Sequence, residues 1–470
     1  MEQYINPAFA SVLKTIGFDK GYVRGEGAYL FDRAGNRYID CLGGYAVFAA
    51  GRNHPVIRDA LRQAMDLDLP SLPGVGPFRV AGLLARELVR LAPKSDTDEP
   101  LDTVFFANSG AEAIDAAIKH ARAATGRDGL VYCHRSYHGL TMGALSATGN
   151  HEFRDGFGEL LRSTHEVSFN DLAALERSLA THKPAAFIVE PIQGKGVNIP
   201  DDDYLATAAA LCRRHGALMI LDEIQTGLGR TGCMFAGEHW RMGRPSTEGG
   251  WTPDILVLAK ALSGGFIPVS AMITRRSIHS RVFSSMNQCS RIQTTFGMND
   301  LAMVAGLASL HVIRQERLVE RAAEVGTYFN TQLRDTLTRH PLVKEVRGRG
   351  LMIAVEFARP QSLLLGQAWD MLHRLDPSLF CQAIILPLMS DHRILSQVAG
   401  HRLDVIKLIP PLVLSRADAD EVVRAMDICV ANCCKFPGPA WEVGKKLGSA
   451  AVRRFAPGPG PEVAQQVSTV

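Results

Sequence analysis

Two residues define the chemistry open to this chain: Asp222, which closes the apolar run Ala217-Leu-Met-Ile-Leu, and Lys260, which ends the run Asp254-Ile-Leu-Val-Leu-Ala-Lys. Both runs are short, continuous and β-compatible, and the first is bounded by Gly216 and by acids. That is the pattern of parallel strands buried on both faces. The carboxyl ends of such strands face the crevice where open α/β sheets bind ligands, so an acid and an amine are expected at one rim. An amine there can form an imine with an aldehyde, and a carboxylate can keep a ring nitrogen protonated. With the glycine-rich Ser263-Gly264-Gly265 just after the amine, the pair suits pyridoxal 5′-phosphate (PLP), whose ring then acts as an electron sink. Taken singly, each residue would be an ordinary solvated strand end.

Taken together, DEIQTGLGRTG from Asp222 and LAKALSGG from Leu258 resemble the core of the class III, fold-type I, PLP-dependent aminotransferases. The resemblance runs from about Gly25 to about Cys434. It implies a homodimer with shared active sites, in which an amino group passes from an amine donor to a carbonyl acceptor. It makes Lys260 the imine lysine and, once displaced, the proton-transfer base, with Asp222 on the pyridine nitrogen. Desolvation would lower the lysine's pKa towards the working range. By the same resemblance Gln225 sits on the cofactor side of Asp222 near the phenolic oxygen. Ile224 packs on one face of the ring, which requires the chain to turn after the strand.

Asn108-Ser109-Gly110-Ala111-Glu112 follows the apolar VFFA and precedes a helical pattern. Ser109 and Glu112 can form a capping box, and the helix N-terminus offers amides and a positive dipole end to a phosphate. The resemblance places the cofactor phosphate there, on Ser109, Gly110 and Ala111. Tyr137-His138-Gly139 matches the family's aromatic-X-Gly, with Tyr137 stacked on the cofactor and His138 beside it. Glu190 in VEPIQG ends another strand on the cofactor side, with its role open. Thr294-Thr295-Phe296-Gly297 resembles the family's Thr-Phe-Gly segment, whose second threonine, Thr295, reaches the phosphate of the neighbouring subunit. Met298 and Asp300 depart from the family's second glycine and proline.

Substrate preference rests on further departures. In class III enzymes resembling ornithine aminotransferase, carboxylates are held by an arginine right after the aromatic-X-Gly and by another just before Pro-Pro-Leu. A glutamate after the strand-end glutamate neutralises the second arginine. This chain has Leu140, Lys407 and Lys195 at those places. A lysine lacks the planar fork an arginine offers a carboxylate, and a leucine has no donor. Tyr45, Leu140, Lys195 and Lys407 are therefore the candidate substrate contacts, and one substrate is expected to carry a substantially apolar tail. Another reading leaves both lysines facing solvent and a displaced arginine doing the usual work.

The same residues are open to other chemistries. A decarboxylase, racemase or aminomutase could share Lys260 and Asp222, because substrate orientation selects the bond broken. Gly227-Leu-Gly229-Arg-Thr-Gly232 fits the dinucleotide pattern, but Asp222 to Thr226 separate it from its strand, whereas a pyrophosphate loop turns directly from strand to helix. A nicotinamide or flavin oxidoreductase is thus a distant alternative. His134 and His138 lack the third ligand of a metal site, and no metal is expected.

The elements that must position these residues alternate. LDTVFF, GLVYC, PAAFIVE, ALMILDE and DILVLAK read as strands, with helical patterns such as GAEAIDAAIKHARAA between them. That is an α/β chain with a mostly parallel sheet in a large lobe, here 61–335, and the resemblance implies that this sheet is of the seven-stranded type. An N-terminal segment, 1–60, carries the hairpin-like turn Asp32-Arg-Ala-Gly-Asn36 and is implied by the family to join a smaller α+β lobe, 336–435. That lobe has expected strands in VKEVRGRGLMIAVEF and AIILPLM, then the segment DVIKLIPPLVL and a last helix starting at Ser415 with Asp418. A helical stretch near Leu301 to Arg339 links the lobes. A Pro- and Gly-rich tail, 436–470, contains a basic piece from Trp441 to Phe455 read as surface-docked or disordered.

Composition sets outer limits. The 470 residues are 46% apolar, enough for two cores, and the net charge of +3 gives no field for nucleic acid. The N-terminus has no positive-then-apolar leader and no run spans a membrane, so a cytoplasmic address is expected. Nine scattered cysteines, an odd number, read as reduced thiols, mostly in the core.

Overall fold

Four of the apolar runs form inner strands of one seven-stranded sheet, and LDTVFF forms an edge strand. The lateral order of the sheet is Leu101–Ala107, Ser270–Arg275, Ile255–Leu258, Leu218–Asp222, Ala186–Val189, Leu130–Cys133 and Thr164–Val167. The five from Ile255–Leu258 to Thr164–Val167 are parallel, and Ser270–Arg275 is antiparallel to both its neighbours. This computed structural model describes residues 3–15, 18–72, 76–96, 98–377, 379–400, 403–435 and 438. The basic piece 441–455 lies outside them.

Strand alternation divides the sheet residues between two cores. Phe187, Val189, Met219, Leu221, Leu256 and Leu258 fall on one side, and Ala186, Ile188, Ile220, Ile255 and Val257 on the other. Neither face meets water, which is why these runs show no polar positions. The helix Gly110–Thr125 packs in the second core through Ala113, Ile114, Ala117 and Ala121. Asp222 has the parity of Ile220, so it leaves the sheet on the same side as that helix.

Two smaller four-stranded sheets complete the chain. In one, Tyr29–Asp32 and Arg37–Asp40 form the expected hairpin, with Asp32 Oδ1 accepting from the Ala34 and Asn36 amides at 3.0 and 2.9 Å. Arg37–Asp40 also pairs in parallel with Ile394–Leu395, tying an N-terminal strand to a C-terminal one. The other sheet is antiparallel, in the order Val343–Arg349, Met352–Phe357, Val405–Leu408, Gln397–Val398. The linking helical stretch is two helices, Asp300–Gln315 and Leu318–Leu337, separated at Arg317, whose φ is 51°. The last helix, Arg416–Cys433, starts with a capping box of Ser415 and Asp418. No described helix is long and apolar enough to cross a membrane.

Two expectations are corrected. AIILPLM is not a strand but part of the helix Leu379–Ser390. Its buried residues, including Phe380, Cys381, Ala383, Ile384, Ile385, Leu388 and Met389, face nearly all directions, and a run apolar all round carries no period to separate helix from strand. Strand Ile255–Leu258 stops before Lys260, which opens a short turn with φ of 41°, a left-handed conformation costly for a residue with a Cβ. Strand Leu218–Asp222 ends at Asp222, and the turns that follow at once carry Ile224 and Gln225. The strands Thr164–Val167 and Ser270–Arg275 were not anticipated.

The glycine-rich stretch 227–232 continues as turns, not as a helix. Its Arg230 is buried and donates from Nη1 to the carbonyls of Leu351, at 3.1 Å, and Pro410. The same joint needs two bare backbones: a Cβ on Gly326 would meet the Gly350 carbonyl carbon at 2.2 Å. Gly326→Ala should therefore lower stability by about 1–3 kcal/mol. Gly82, in the helix Arg79–Leu91, has nothing within 4 Å of an added Cβ, and Gly82→Ala should raise stability by about 0.5–1 kcal/mol. Denaturant midpoints check both, and equal shifts of one sign would contradict this packing.

Candidate active site

At the carboxyl rim of the large sheet opens a cavity of about 1050 Å³. It is lined by Tyr45, Ser109, Gly110, Ala111, Tyr137, His138, Leu140, Glu190, Lys195, Asp222, Ile224, Gln225, Lys260 and Lys407. These are all the residues singled out in the sequence except Thr295. Thr295 is exposed and lies off this cavity, in the turn before the helix Asp300–Gln315. Asp300, where the family carries proline, is the first residue of that helix, which Asn299 caps by accepting from the Ala302 amide at 2.8 Å.

Asp222 is 3% exposed. A carboxylate so placed needs donors, and it has two: His138 Nδ1 at 2.7 Å and the Ile224 amide at 3.0 Å. His138 is itself buried, and its Nε2 has no partner among the described residues. Behind them Glu190 accepts from the Tyr137 amide at 2.8 Å through Oε1 and from the Gly194 amide at 2.6 Å through Oε2. Burial, opposed by His138, raises its pKa. Glu190 thus ties two loops together beneath the cavity.

Ser109 caps the helix Gly110–Thr125: its Oγ accepts from the Glu112 amide at 3.2 Å, and Glu112 Oε2 accepts from the Asn108 and Ser109 amides at 2.9 and 2.8 Å. The capping box and the cavity wall coexist at one helix end. A Cβ on Gly110 would sit 2.9 Å from Ile224 Cδ1, so the glycine lets the helix start pack directly on Ile224.

The amines occupy a low-dielectric space. Burial lowers the pKa of Lys260, against the opposing pull of Asp222 and Glu190. Burial, then repulsion from Lys260, brings Lys407 down to about 7. Lys407 Nζ donates to Gly194 O at 2.9 Å and to Gln225 Oε1 at 3.2 Å, and Gln225 Nε2 in turn donates to Tyr45 O at 3.2 Å. Lys195 Nζ lies 4.6 Å from the Phe153 ring centroid and 5.9 Å from that of Tyr137. Burial lowers its pKa too, opposed by Glu152 and Glu190. Neither lysine merely faces solvent. Leu140 and Tyr45 are more than half exposed at the cavity, and Tyr45 is held at φ of 61°.

Several lining residues were not anticipated: Phe153, Phe266, Gln382, Gln397 and Val398 to Gly400. No reactive motif marks them, and Gln397 sits on a strand of two residues. His134, the other half of the suspected histidine pair, bonds Glu166 through Nδ1 at 2.6 Å.

An amine, a buried acid and an exposed helix N-terminus on one cavity are the donor set a phosphorylated pyridine aldehyde requires, so the residues present fit PLP. The chain matches the family model described as Aminotransferase class-III over residues 18–430 and belongs to that family, whose members are PLP-dependent. It is 35% identical to Aminotransferase PigE of Serratia sp. over 90% of its own length, but spans only 52% of that relative. It is 39% identical to a putrescine aminotransferase of Pectobacterium atrosepticum, over 76% of each. Among solved structures, an ornithine aminotransferase from Toxoplasma gondii ME49 superposes with a TM-score of 0.75 at 30% identity, covering 92% of each chain. The fold is therefore that of the fold-type I transaminases.

Replacing Glu190 tests the tie beneath the cavity. Glu190→Ala should cost about 2 kcal/mol or more, with faster loss of PLP on gel filtration, because two main-chain amides lose a charged acceptor. Glu190→Gln, which keeps one acceptor oxygen, should fall between. Thermal shifts equal to the unaltered protein in both variants would contradict the role.

Proposed function

We propose that this chain, with PLP, transfers an amino group from an amine or amino-acid donor to an aldehyde or ketone acceptor whose tail is substantially apolar. The observation that carries the reading is the placement of Asp222 and Lys260 on one cavity, the first closing its strand and the second just past the end of the neighbouring parallel strand. When bound, the cofactor supplies an aldehyde for the amine and a ring that takes up the electron pair of the substrate carbon.

The chain's own residues then have separable tasks. Ser109 and the Gly110 and Ala111 amides hold the phosphate at the helix N-terminus. Asp222, fixed by His138 and by the Ile224 amide, keeps the ring nitrogen protonated. Tyr137, Ile224 and Gln225, which line the same cavity, would hold the ring in place. Lys260 Nζ, more often neutral because burial weakens its hold on a proton, takes the proton from the donor carbon and returns one to the product.

Leu140 and the rings of Tyr45, Tyr137 and Phe153 supply an apolar mouth, while Lys195 is taken up over two of those rings. That arrangement supports an apolar tail over a second carboxylate. We further infer a homodimer in which Thr295, exposed and off its own cavity, completes the phosphate site of a second copy. A reducing, cytoplasmic setting is supported by nine cysteines without a disulfide, most of them buried.

Steady-state comparison of aliphatic aldehydes of increasing length with 2-oxoglutarate and glutamate semialdehyde tests the acceptor. kcat/KM should rise with chain length and exceed that for 2-oxoglutarate by about tenfold, roughly one buried methylene or two. A clear preference for dicarboxylates, unaffected by Lys407→Ala, would refute the apolar-tail reading. A fully active monomer by light scattering at assay concentration would refute the shared site.

A further inference from the structure

A second hollow, of about 420 Å³, opens beside the outermost strand of the large sheet, Thr164–Val167, and shares no residue with the cavity above. Its volume is within the range of small-molecule sites. The other wall is the helix Leu172–His182, which carries two stripes. Leu175 and Leu179 are buried in the core, whereas Ala174, Arg177, Ser178, Thr181 and His182 line the hollow. Residues so spaced share one helix face. A face turned towards a strand is ordinarily apolar, and this one is polar at four of its positions.

The fold does not satisfy these polar groups. Ser178 is 9% exposed, and its Oγ is buried without a partner among the described residues. Arg177, Thr181, His165 and His182 make no hydrogen bond or ion pair within the described residues. Glu166, the one acid lining the hollow among them, already bonds His134 Nδ1 at 2.6 Å, with His151 Nε2 3.5 Å from its other oxygen. His165 and His182 stack face to face, their ring centroids 3.5 Å apart and their planes 8° from parallel. Burial, then the neighbouring ring, lowers the pKa of His165. Two stacked imidazolium rings repel, so both carry charge only beside an anion. The stack also argues against a metal, because an ion between parallel rings lies off the lone-pair axis of each.

The hollow thus offers a guanidinium fork, two imidazoles and two hydroxyls around one space. The two oxygens of a carboxylate cannot use that many donors, whereas the oxygens of a phosphate can. We propose that this hollow binds a phosphate dianion, either free or as the monoester of a small molecule. Arg177 supplies the permanent charge, His165 and His182 supply ring donors, and Ser178 supplies the buried hydroxyl. The site goes beyond the aminotransferase reading and does not depend on it.

The PLP-loaded protein, in which the cofactor fills its own phosphate site, is titrated calorimetrically with inorganic phosphate and with glycerol 3-phosphate at pH 6, where an imidazole is readily protonated. One anion should bind per chain. Arg177→Gln should weaken binding about tenfold or more, and Ser178→Ala about threefold or more. His165→Phe keeps a ring in the stack but removes its donor, and should weaken binding about tenfold while the absorbance of the bound cofactor stays the same. Tighter binding of inorganic phosphate would assign the free ion as the ligand, and tighter binding of glycerol 3-phosphate a monoester; either result supports the site. No saturable binding of either anion, or an affinity unchanged by Arg177→Gln or by His165→Phe, would overturn it.

Discussion

A carboxylate taken out of water must be given donors, and around Asp222 that requirement organises the rim of the sheet. The strand Leu218–Asp222 carries it into a position 3% exposed, so the loop bearing His138 and the turn at Ile224 must both close on it. Closing the first loop brings Tyr137 onto Glu190, and closing the second packs Ile224 on the bare Gly110 at the start of a helix. One buried acid thus aligns His138, Tyr137 and the start of the helix Gly110–Thr125 around one cavity. Glu190, the residue directly after the neighbouring strand Ala186–Val189, is tied to backbone instead. Two acids at one rim have different uses because their partners differ.

The amines pose the opposite problem. Lys260, Lys195, Lys407 and the buried Arg230 influence one region, against Asp222 and Glu190. Their repulsion and burial favour neutral amines, which is what an imine-forming and proton-moving lysine needs. An anionic cofactor and a carboxylate-bearing donor would offset the surplus. The left-handed Lys260 marks where the backbone accepts strain to present its side chain beyond the strand end.

Asp222 and Lys260 were legible because each closes or closely follows a strand buried on both faces. Such strands leave unbroken apolar runs in the sequence, and the residues at their ends, Asp222 and Lys260, are easily found. The capping box at Ser109 and the helix start at Ser415 were readable for a similar reason: their partners are three residues away. What was not readable depends on contacts distant in sequence. Gln397 reaches the cavity only because its two-residue strand pairs with Val405–Leu408, and Leu379–Ser390 is helical only because neighbours cover it on most sides. The placement of Gln225 is a product of the turn after Asp222, which strand alternation could not anticipate.

The central claim is that Lys260, and not another amine of the same cavity, carries the cofactor. Reducing the PLP-loaded protein with borohydride and mapping the modified peptide by mass distinguishes the three candidates, since each lies in a different part of the chain. The account predicts the cofactor mass on the peptide containing Lys260 and its disappearance in Lys260→Ala. Stoichiometric modification of Lys407 or Lys195 in the unaltered protein would contradict it.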